Sequence, residues 1–205
     1  MSQNVKSHSL VRPMHVSDVQ AVVRVHLLSF QGFFLTFLGP GFLYELYSAI
    51  IADSSGIVFV WEQDNQIVGF VAGTDQPSGL YTRLLRQRLW LFCLASIKPA
   101  LLKPSIIPRL LRALTIQKRL ESIQGMGTLM SVAVLPKNQK QGIDKSLIET
   151  FLKEAKERGL TKVNLTTDTC DNNAVNHFYK QLGFVCARTF ITSEGRQMNE
   201  YVIAV

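Results

Sequence analysis

The chain has 205 residues, of which 47% are hydrophobic and 9% aromatic. This composition excludes disordered, collagen-like and low-complexity proteins, and the length favours a single domain. The three cysteines have no paired spacing, the N-terminus has no signal-peptide pattern, and the most apolar run, 89–97, is too short to span a bilayer. We therefore expect a cytoplasmic protein without disulfide bonds or transmembrane segments.

The positive charge is concentrated in one part of the sequence. The chain carries a net charge of +7, and no acidic residue lies between Asp75 and Glu121. Nine cationic residues lie in that stretch: Arg83, Arg86, Arg88, Lys98, Lys103, Arg109, Arg112, Lys118 and Arg119. Such a basic, leucine-rich block attracts phosphate groups, nucleic acid or acidic lipid.

Hydrophobic spacing predicts the secondary structure of the first half of the chain. In chain order, the predicted elements are a strand at 9–13, a helix that follows an N-cap at Ser17, a chain break at 39–41, a helix at 42–51, and a hairpin of strands 56–61 and 66–74 with a polar turn at 62–65.

The second half begins with the basic block, where Pro99, Pro104 and Pro108 predict two or three separate helical segments. After it we predict a strand at 128–135, an amphipathic helix at 145–158, a strand at 162–167, a helix at 173–182, and a hairpin of strands 185–192 and 198–205.

The segment 134–147 combines a strand, a polar loop with one glycine, and a helix. Backbone N–H groups and the positive end of a helix converge in such a loop and favour an anion. Gly142 would let the backbone approach a phosphate, and Lys137, Lys140 and Lys145 add positive charge. On spacing alone, an ordinary strand-to-helix turn explains the segment equally well.

A second motif follows at 172–184. Together the two segments resemble the GNAT superfamily of acyl-coenzyme A-dependent N-acetyltransferases over nearly the whole chain. The family's pattern V-x-P-x-x-R/Q-x-x-G-x-G/A is matched by Val134, Pro136, Gln139 and Gly142, with Asp144 at the last position. The later pattern N-x-x-A-x-x-x-Y-x-x-x-G-F aligns with Asn172, Val175, Tyr179, Gly183 and Phe184.

The resemblance implies an α/β (α+β) fold with a mixed, mostly antiparallel sheet of about seven strands and helices on both faces. It also implies one acetyltransferase domain over 1–205, in which the basic block is a helical insertion at about 76–124. Acetyl-CoA is the implied co-substrate, and no metal is implied.

The resemblance also implies roles for particular residues. The strand around Val132, Ala133 and Val134 would offer its backbone to the pantetheine arm, and the N–H of Val132 would polarise the thioester carbonyl. Asn172 would bind the pantetheine, and Tyr179 would protonate the leaving thiolate, unless it is only a core tyrosine. The pyrophosphate would be held by backbone N–H groups of Gln139, Lys140, Gln141, Gly142, Ile143, Asp144 and Lys145.

Two departures from the family pattern stand out. A carboxylate at Asp144 beside a pyrophosphate is unfavourable, unless it caps the helix, points to solvent or is offset by the nearby lysines. In addition, the strand 129–133 lacks the carboxylate that many family members use as a base. The alternatives are an ordered water or the side chains of His26, Glu45, His177 and Asp168. We favour Asp168, since it ends a strand near the expected acyl site.

The expected function is direct acetyl transfer to a primary amine of a small acceptor. The aromatic run 30–39 is either core or the wall of an acceptor pocket. It loosely resembles GNAT-like proteins of bacterial surface-polysaccharide synthesis, which implies an amino-sugar or nucleotide-sugar acceptor. The alternative function is a non-catalytic acyl-CoA-binding or membrane-docking module of the same fold.

Three interpretations of the basic block remain open. The first is a helical lid over the acceptor site, with arginines for a diphosphate. The second is a contact of residues 83–119 with an anionic membrane at the inner membrane face. The third is a packed helical subdomain or a homodimer contact, with a solvated cationic face. Nucleic acid is disfavoured, because the aromatic residues look packed rather than placed for base stacking.

Overall fold

The structure is a computed structural model that describes residues 9–102 and 124–205. Its strands are β1 (Ser9–Pro13), β2 (Gly56–Gln63), β3 (Gln66–Thr74), β4 (Met126–Val134), β5 (Lys162–Asp168), β6 (Val185–Ile191) and β7 (Gln197–Ala204). Its helices are α1 (Val19–Ser29), α2 (Phe34–Phe37), α3 (Gly39–Ala52), α4 (Leu80–Leu102), α5 (Ile143–Glu157) and α6 (Asn173–Gln181). No helix in these two ranges is long and apolar enough to cross a membrane.

The strands form one seven-stranded sheet in the order β1-β2-β3-β4-β5-β7-β6. Every neighbouring pair is antiparallel except β4 and β5, which are parallel. This confirms the predicted mixed, mostly antiparallel sheet. The β2–β3 turn is tight, because Asp64 and Asn65 both adopt positive φ, of 50° and 61°, as a type I′ hairpin requires.

Helices cover both faces of the sheet, as β3 shows. Phe70 contacts His26 of α1 and Tyr47 of α3, with ring centroids 6.4 and 5.2 Å apart. Its neighbour Gly69 points the other way, where an added Cβ would lie 3.2 Å from both Ile143 and Leu147 of α5. Because successive residues of a strand face opposite sides, α5 lies on one face, and α1 and α3 on the other.

The centre of the sheet opens between β4 and β5. These strands pair only from Met126 to Thr128 on β4, against Lys162 to Asn164 on β5. Just beyond this short ladder, the register between β3 and β4 shifts, so that Met130 is an extra residue on β4. Such a bulge bends its strand and increases its twist. The β4–β5 ladder therefore ends early, and a gap opens between the two strands.

Two helix starts differ from the prediction. Helix α1 begins at Val19 with Asp18, not Ser17, as its N-cap. The Asp18 carboxylate accepts hydrogen bonds from Arg12 and from the His15 backbone, contacts that spacing alone does not reveal. Helix α3 begins at Gly39, because the proline that follows it lies in the first turn, where a missing N–H costs nothing.

The predicted break at Pro99 is wrong, since α4 continues through this residue to Leu102. The helix is instead kinked at Arg88, which has φ −139° and ψ 27°. The guanidinium of Arg88 donates a 3.0 Å hydrogen bond to Glu45 of α3 at this point. The kink thus coincides with a tertiary ion pair. Pro104 and Pro108 lie outside the described residues.

Gly73 allows the close approach of β3, β4 and α5 beside the bulge. An added Cβ would overlap the carbonyl oxygen of Thr128 and lie 2.6 Å from the ring of Phe151. We predict that Gly73→Ala lowers the free energy of unfolding by about 1–3 kcal/mol, the usual cost of overpacking, as measured by urea denaturation. Gly41→Ala is the control, because its Cβ would meet only Ala95 at 3.8 Å. Equal stability of both variants would contradict this account.

Candidate functional site

The gap between β4 and β5 opens into a cavity of about 770 Å³, a size typical of small-molecule sites. One wall is formed by residues 129–134 of β4, and the facing wall by residues 165–168 of β5. The loop before α5, helix α6 and the aromatic residues after α1 complete the lining. The cavity therefore brings together both sequence motifs.

The backbone of β4 is directed into this cavity at alternate residues. The N–H of Leu135 donates to Val68 of β3 at 2.8 Å. By the antiparallel alternation, Ala133 bonds to β3, whereas Val132 and Val134 point their N–H and C=O groups away from it. The carbonyl of Val134 accepts bonds from the side chains of Ser29 and Gln139, at 3.1 and 3.4 Å. Val132 thus directs a donor and an acceptor into the gap.

The loop before α5 gathers backbone N–H groups. Lys140 and Gly142 both adopt left-handed conformations, with φ of 62° and 77°. Within the described parts of the chain, the N–H groups of residues 140–144 donate to no other group. Open N–H groups at the start of a fifteen-residue helix form a concave site of positive potential that suits a phosphate. The structure therefore places open N–H groups where the first motif predicts an anion site, and the site itself stays a prediction.

Tyr179 of α6 lies at the same cavity. Its side chain is buried against Phe178 and Phe184, with ring centroids 5.5 and 5.7 Å away. Burial, and to a lesser extent the charge of Asp144, raises the pKa of Tyr179 to about 12. The phenol consequently keeps its proton at neutral pH and can donate it.

Comparison with known proteins agrees with this geometry. Residues 108–184 match the family model described as Acetyltransferase (GNAT) family. That range contains the loop before α5 together with Asn172 and Tyr179. This part of the chain is therefore similar to the GNAT acetyltransferase family. No curated protein matches it significantly.

Solved structures share the fold at low sequence identity. The ribosomal-protein-S18-alanine N-acetyltransferase of Escherichia coli superposes with a TM-score of 0.60 and 15% identity, over 97% of this chain and 94% of its own. The ribosomal-protein-alanine N-acetyltransferase of Brucella melitensis gives 0.64 and 14%, over 96% and 99%. The PaiA N-acetyltransferase of Thermoplasma acidophilum, solved with coenzyme A, gives 0.58 and 13%, over 94% and 98%. These likenesses establish the GNAT fold.

Asp144, the residue of this loop that departs from the GNAT pattern, lies at the cavity. It lines the cavity wall, and its charge contributes to the raised pKa of Tyr179. Its side chain is half-buried at this wall. Its Oδ1 accepts a 2.9 Å hydrogen bond from the Lys145 backbone, so the capping role is observed. The N–H group of Lys145 is therefore already bonded, and the Asp144 carboxylate adds a negative charge beside the predicted anion site.

Asn172 joins α6 to the end of β5. Its Nδ2 donates to the Thr167 hydroxyl at 2.7 Å and to the Asp168 carbonyl at 3.1 Å. The predicted contact with pantetheine must therefore use its Oδ1, or exchange one of these bonds. Asn172 lines the cavity, and its contact with pantetheine stays a prediction.

Asn176 is a structural residue that the sequence analysis missed. Its Nδ2 donates to the carbonyls of Asp168 and Asn172, at 2.9 and 2.8 Å. Its Oδ1 accepts from Asn199 and Tyr201 of β7, at 2.9 and 3.0 Å. All four bonds of this buried amide are made, which fixes α6 on the sheet. The available signal was an amide three residues before Tyr179, on the same inward helical face.

Asp168 lies at the cavity, but its carboxylate is held by Arg196. The two oxygens accept bonds from the Nε and an Nη of Arg196 at 3.1 and 2.6 Å. The same guanidinium lies 5.9 Å from the Phe33 ring. Arg196 was not predicted, because it comes from the β6–β7 turn, far away in sequence. Its side chain connects the β5 end to the aromatic wall.

Among the other predicted base candidates, only His26 lines the cavity; Glu45 and His177 do not. The Nδ1 of His26 lies 2.7 Å from the Tyr47 hydroxyl, and its buried Nε2 has no partner within the described residues. Burial lowers the pKa of His26 to about 4. Burial raises the pKa of Tyr47, and a hydrogen bond between Tyr47 and Ser131 partly offsets this increase. Ser131 lies on β4, the strand that lacks a carboxylate. The side chains linked to it, Tyr47 and then His26, are both uncharged at neutral pH.

The buried imidazole makes stability depend on pH. The pKa of His26 is about 4 when folded, against 6.5 for the free group, so the unfolded state binds more protons in that window. We predict that the free energy of unfolding falls by about 3 kcal/mol as the pH drops from 6.5 to 4, from this group alone.

The measurement is urea denaturation across this pH range. His26→Gln should remove this slope, whereas His177→Gln, at an exposed position, should retain it. Parallel pH profiles for His26→Gln and the unaltered chain would refute the neutral, buried state of His26.

Proposed function

We propose that the chain is an acetyltransferase that transfers the acetyl group of acetyl-CoA to a primary amine of a small acceptor. One observation supports this most strongly. The open N–H groups before α5, the gap-facing backbone of Val132 and the protonated hydroxyl of Tyr179 all lie at one cavity. These are the three groups that a thioester donor with a diphosphate requires.

The cavity fits acetyl-CoA part by part. The pyrophosphate would bind the loop N–H groups, of which those of residues 140–144 have no other partner among the described residues. The extended pantetheine would lie between β4 and β5 and pair with the backbone around Val132, Ala133 and Val134, as an added strand does. The proposed loop contacts are Gln139, Lys140, Gln141, Gly142, Ile143, Asp144 and Lys145. The PaiA protein of the same fold was solved with coenzyme A.

The proposed reaction is direct. The N–H of Val132 would polarise the thioester carbonyl and stabilise the oxyanion as the amine nitrogen attacks. A C–N bond forms, the C–S bond breaks, and Tyr179 would give its proton to the departing sulfur. The amine loses one proton, which water in the cavity can accept. Asp168 is the side-chain candidate for this proton, although Arg196 engages both of its oxygens.

The acceptor would bind at the aromatic end of the cavity. Phe30, Phe33 and Phe34 line this end beside Arg196, and Phe33 is 45% exposed. Flat apolar rings suit the face of a sugar ring, while the polar groups of β4 and β5 lie opposite. An amino-sugar or a nucleotide-sugar with a primary amine is therefore the acceptor class that we propose.

Tyr179→Phe tests the enzymatic role. We predict that kcat falls on the order of 10²- to 10⁴-fold, the range for loss of a general acid, while the Kd for CoA stays unchanged because the ring remains. The assay measures free CoA released from acetyl-CoA with a panel of amines, together with calorimetry of CoA binding.

Tyr44→Phe is the matched control, since Tyr44 is exposed on α3 and lies outside the cavity lining. CoA binding without turnover on any amine would favour the non-catalytic acyl-CoA-binding module. Absence of CoA binding would refute both functions.

Asp144→Asn tests the charge at the anion site. We predict that the variant binds CoA about fivefold more tightly, since like charges about 4 Å apart in water cost about 1 kcal/mol. Calorimetry at low salt measures the change. Glu157→Gln, at the opposite end of α5, removes the same charge as a control. Equal CoA affinity of both variants would show that Asp144 does not act on the bound diphosphate.

A further inference from the structure

Helix α4 exposes an apolar face beyond its kink. Trp90 is 81% exposed, Leu94 63% and Ile97 52%. Their spacing of four and three residues places them on one side of the helix. We refer to Trp90, Leu94 and Ile97 as the Trp90 face. Leu89 and Leu91 flank it and are also exposed.

The opposite side of the same helix is packed on α3. Phe92 is buried, and its ring lies 5.2 Å from that of Phe42. Ala95 lies close to Gly41, where an added Cβ would be 3.8 Å away. The helix is therefore held on one side and presents large apolar side chains on the other. A contiguous exposed apolar surface with a tryptophan at its centre marks an interaction site.

The charges around the Trp90 face favour an anionic partner. Nine cationic residues and no acidic residue occur between Asp75 and Glu121 in the sequence. Two of these cations are paired within the described part of the chain, because Arg88 binds Glu45 at 3.0 Å and Arg83 binds Asp53 at 3.1 Å. Helix α4 itself carries no acidic residue, and its Arg86 is exposed and has no ion pair among the described residues. A surface that approaches α4 therefore meets apolar side chains beside an uncompensated cation.

We propose that the Trp90 face docks on an anionic lipid bilayer. Because Phe92 stays packed on α3, the helix would lie along the membrane surface. Trp90 would sit at the level of the headgroups, Leu94 and Ile97 would enter the acyl boundary, and Arg86 would contact lipid phosphates. This inference is independent of the proposed catalytic function.

A second copy of the chain suits the face less well. A symmetric dimer through the Trp90 face would bring together two copies of α4, a helix with cationic residues and no acidic one, and like charges across an interface oppose association. A bilayer with acidic headgroups instead supplies the complementary charge. The charge pattern therefore distinguishes the two partners.

Co-sedimentation with vesicles tests the proposal. The full chain should pellet at low salt with vesicles of phosphatidylglycerol and phosphatidylcholine in equal parts, and stay in solution with phosphatidylcholine alone. The double variant Trp90→Ser, Leu94→Ser should reduce the partition coefficient by about tenfold or more, since it removes buried apolar surface. The double variant Val185→Ser, Ile191→Ser is the matched control. These two residues are 69% and 71% exposed on β6, and binding should persist.

Tryptophan fluorescence gives a second readout that does not depend on altering the face. In a Trp61→Phe background, Trp90 is the remaining tryptophan, and its emission should shift to shorter wavelength when anionic vesicles are added. Absence of sedimentation and of a shift would overturn the proposal. A concentration-dependent dimer in light scattering that Trp90→Ser dissolves would overturn it in favour of a second copy. Emission already shifted in the vesicle-free monomer would show that the chain, including residues 103–123, covers the face.

Discussion

The early end of the β4–β5 ladder is the constraint on which the site depends. Each strand is fixed by its outer neighbour, since β4 pairs with β3 and all seven residues of β5 pair with β7. Their inner edges share only three residue pairs. Backbone groups inside a protein need partners, so an open edge such as Val132 favours an extended ligand. The bulge at Met130, beside Gly73 under Phe151, bends the sheet where this edge begins.

The electrostatics of the cavity follow from what surrounds this gap. Burial keeps His26 and Tyr179 uncharged at neutral pH, and Arg196 neutralises Asp168. The positive N-terminus of α5 and the lysines near it lie at one end of the cavity. Asp144 lies there too, and it is the only acid of the cavity lining without an ion pair in the described part of the chain. A largely uncharged floor favours a neutral amine over an ammonium, which is the form that attacks a carbonyl carbon. The proposed acetyl transfer would therefore require a proton donor more than a strong base.

The sequence predicts what is local and misses what joins distant segments. Alternating apolar residues identified the strands, and the loop around Gly142 was found because its conformation is set by neighbouring residues. The Asn176 network, the Arg196 contact with Asp168 and the kink at Arg88 each join elements that lie far apart in sequence. The partner in each case is chosen by packing, so no local spacing reveals it. Pro99 shows that a local rule can also mislead. The helix-breaking tendency of proline predicted a break there, but α4 continues through Pro99 to Leu102.

Helix α3 links the candidate site to α4, the helix that carries the Trp90 face. Its Phe42 packs on Phe92 of α4, and one and a half turns later its Tyr47 lies 2.7 Å from His26 at the cavity. A helix is stiff over that distance, so the exposed side of α4 has a fixed orientation relative to the aromatic end of the cavity. If the Trp90 face docks on a membrane as proposed, α3 therefore sets the direction in which the aromatic end of the cavity faces relative to that membrane.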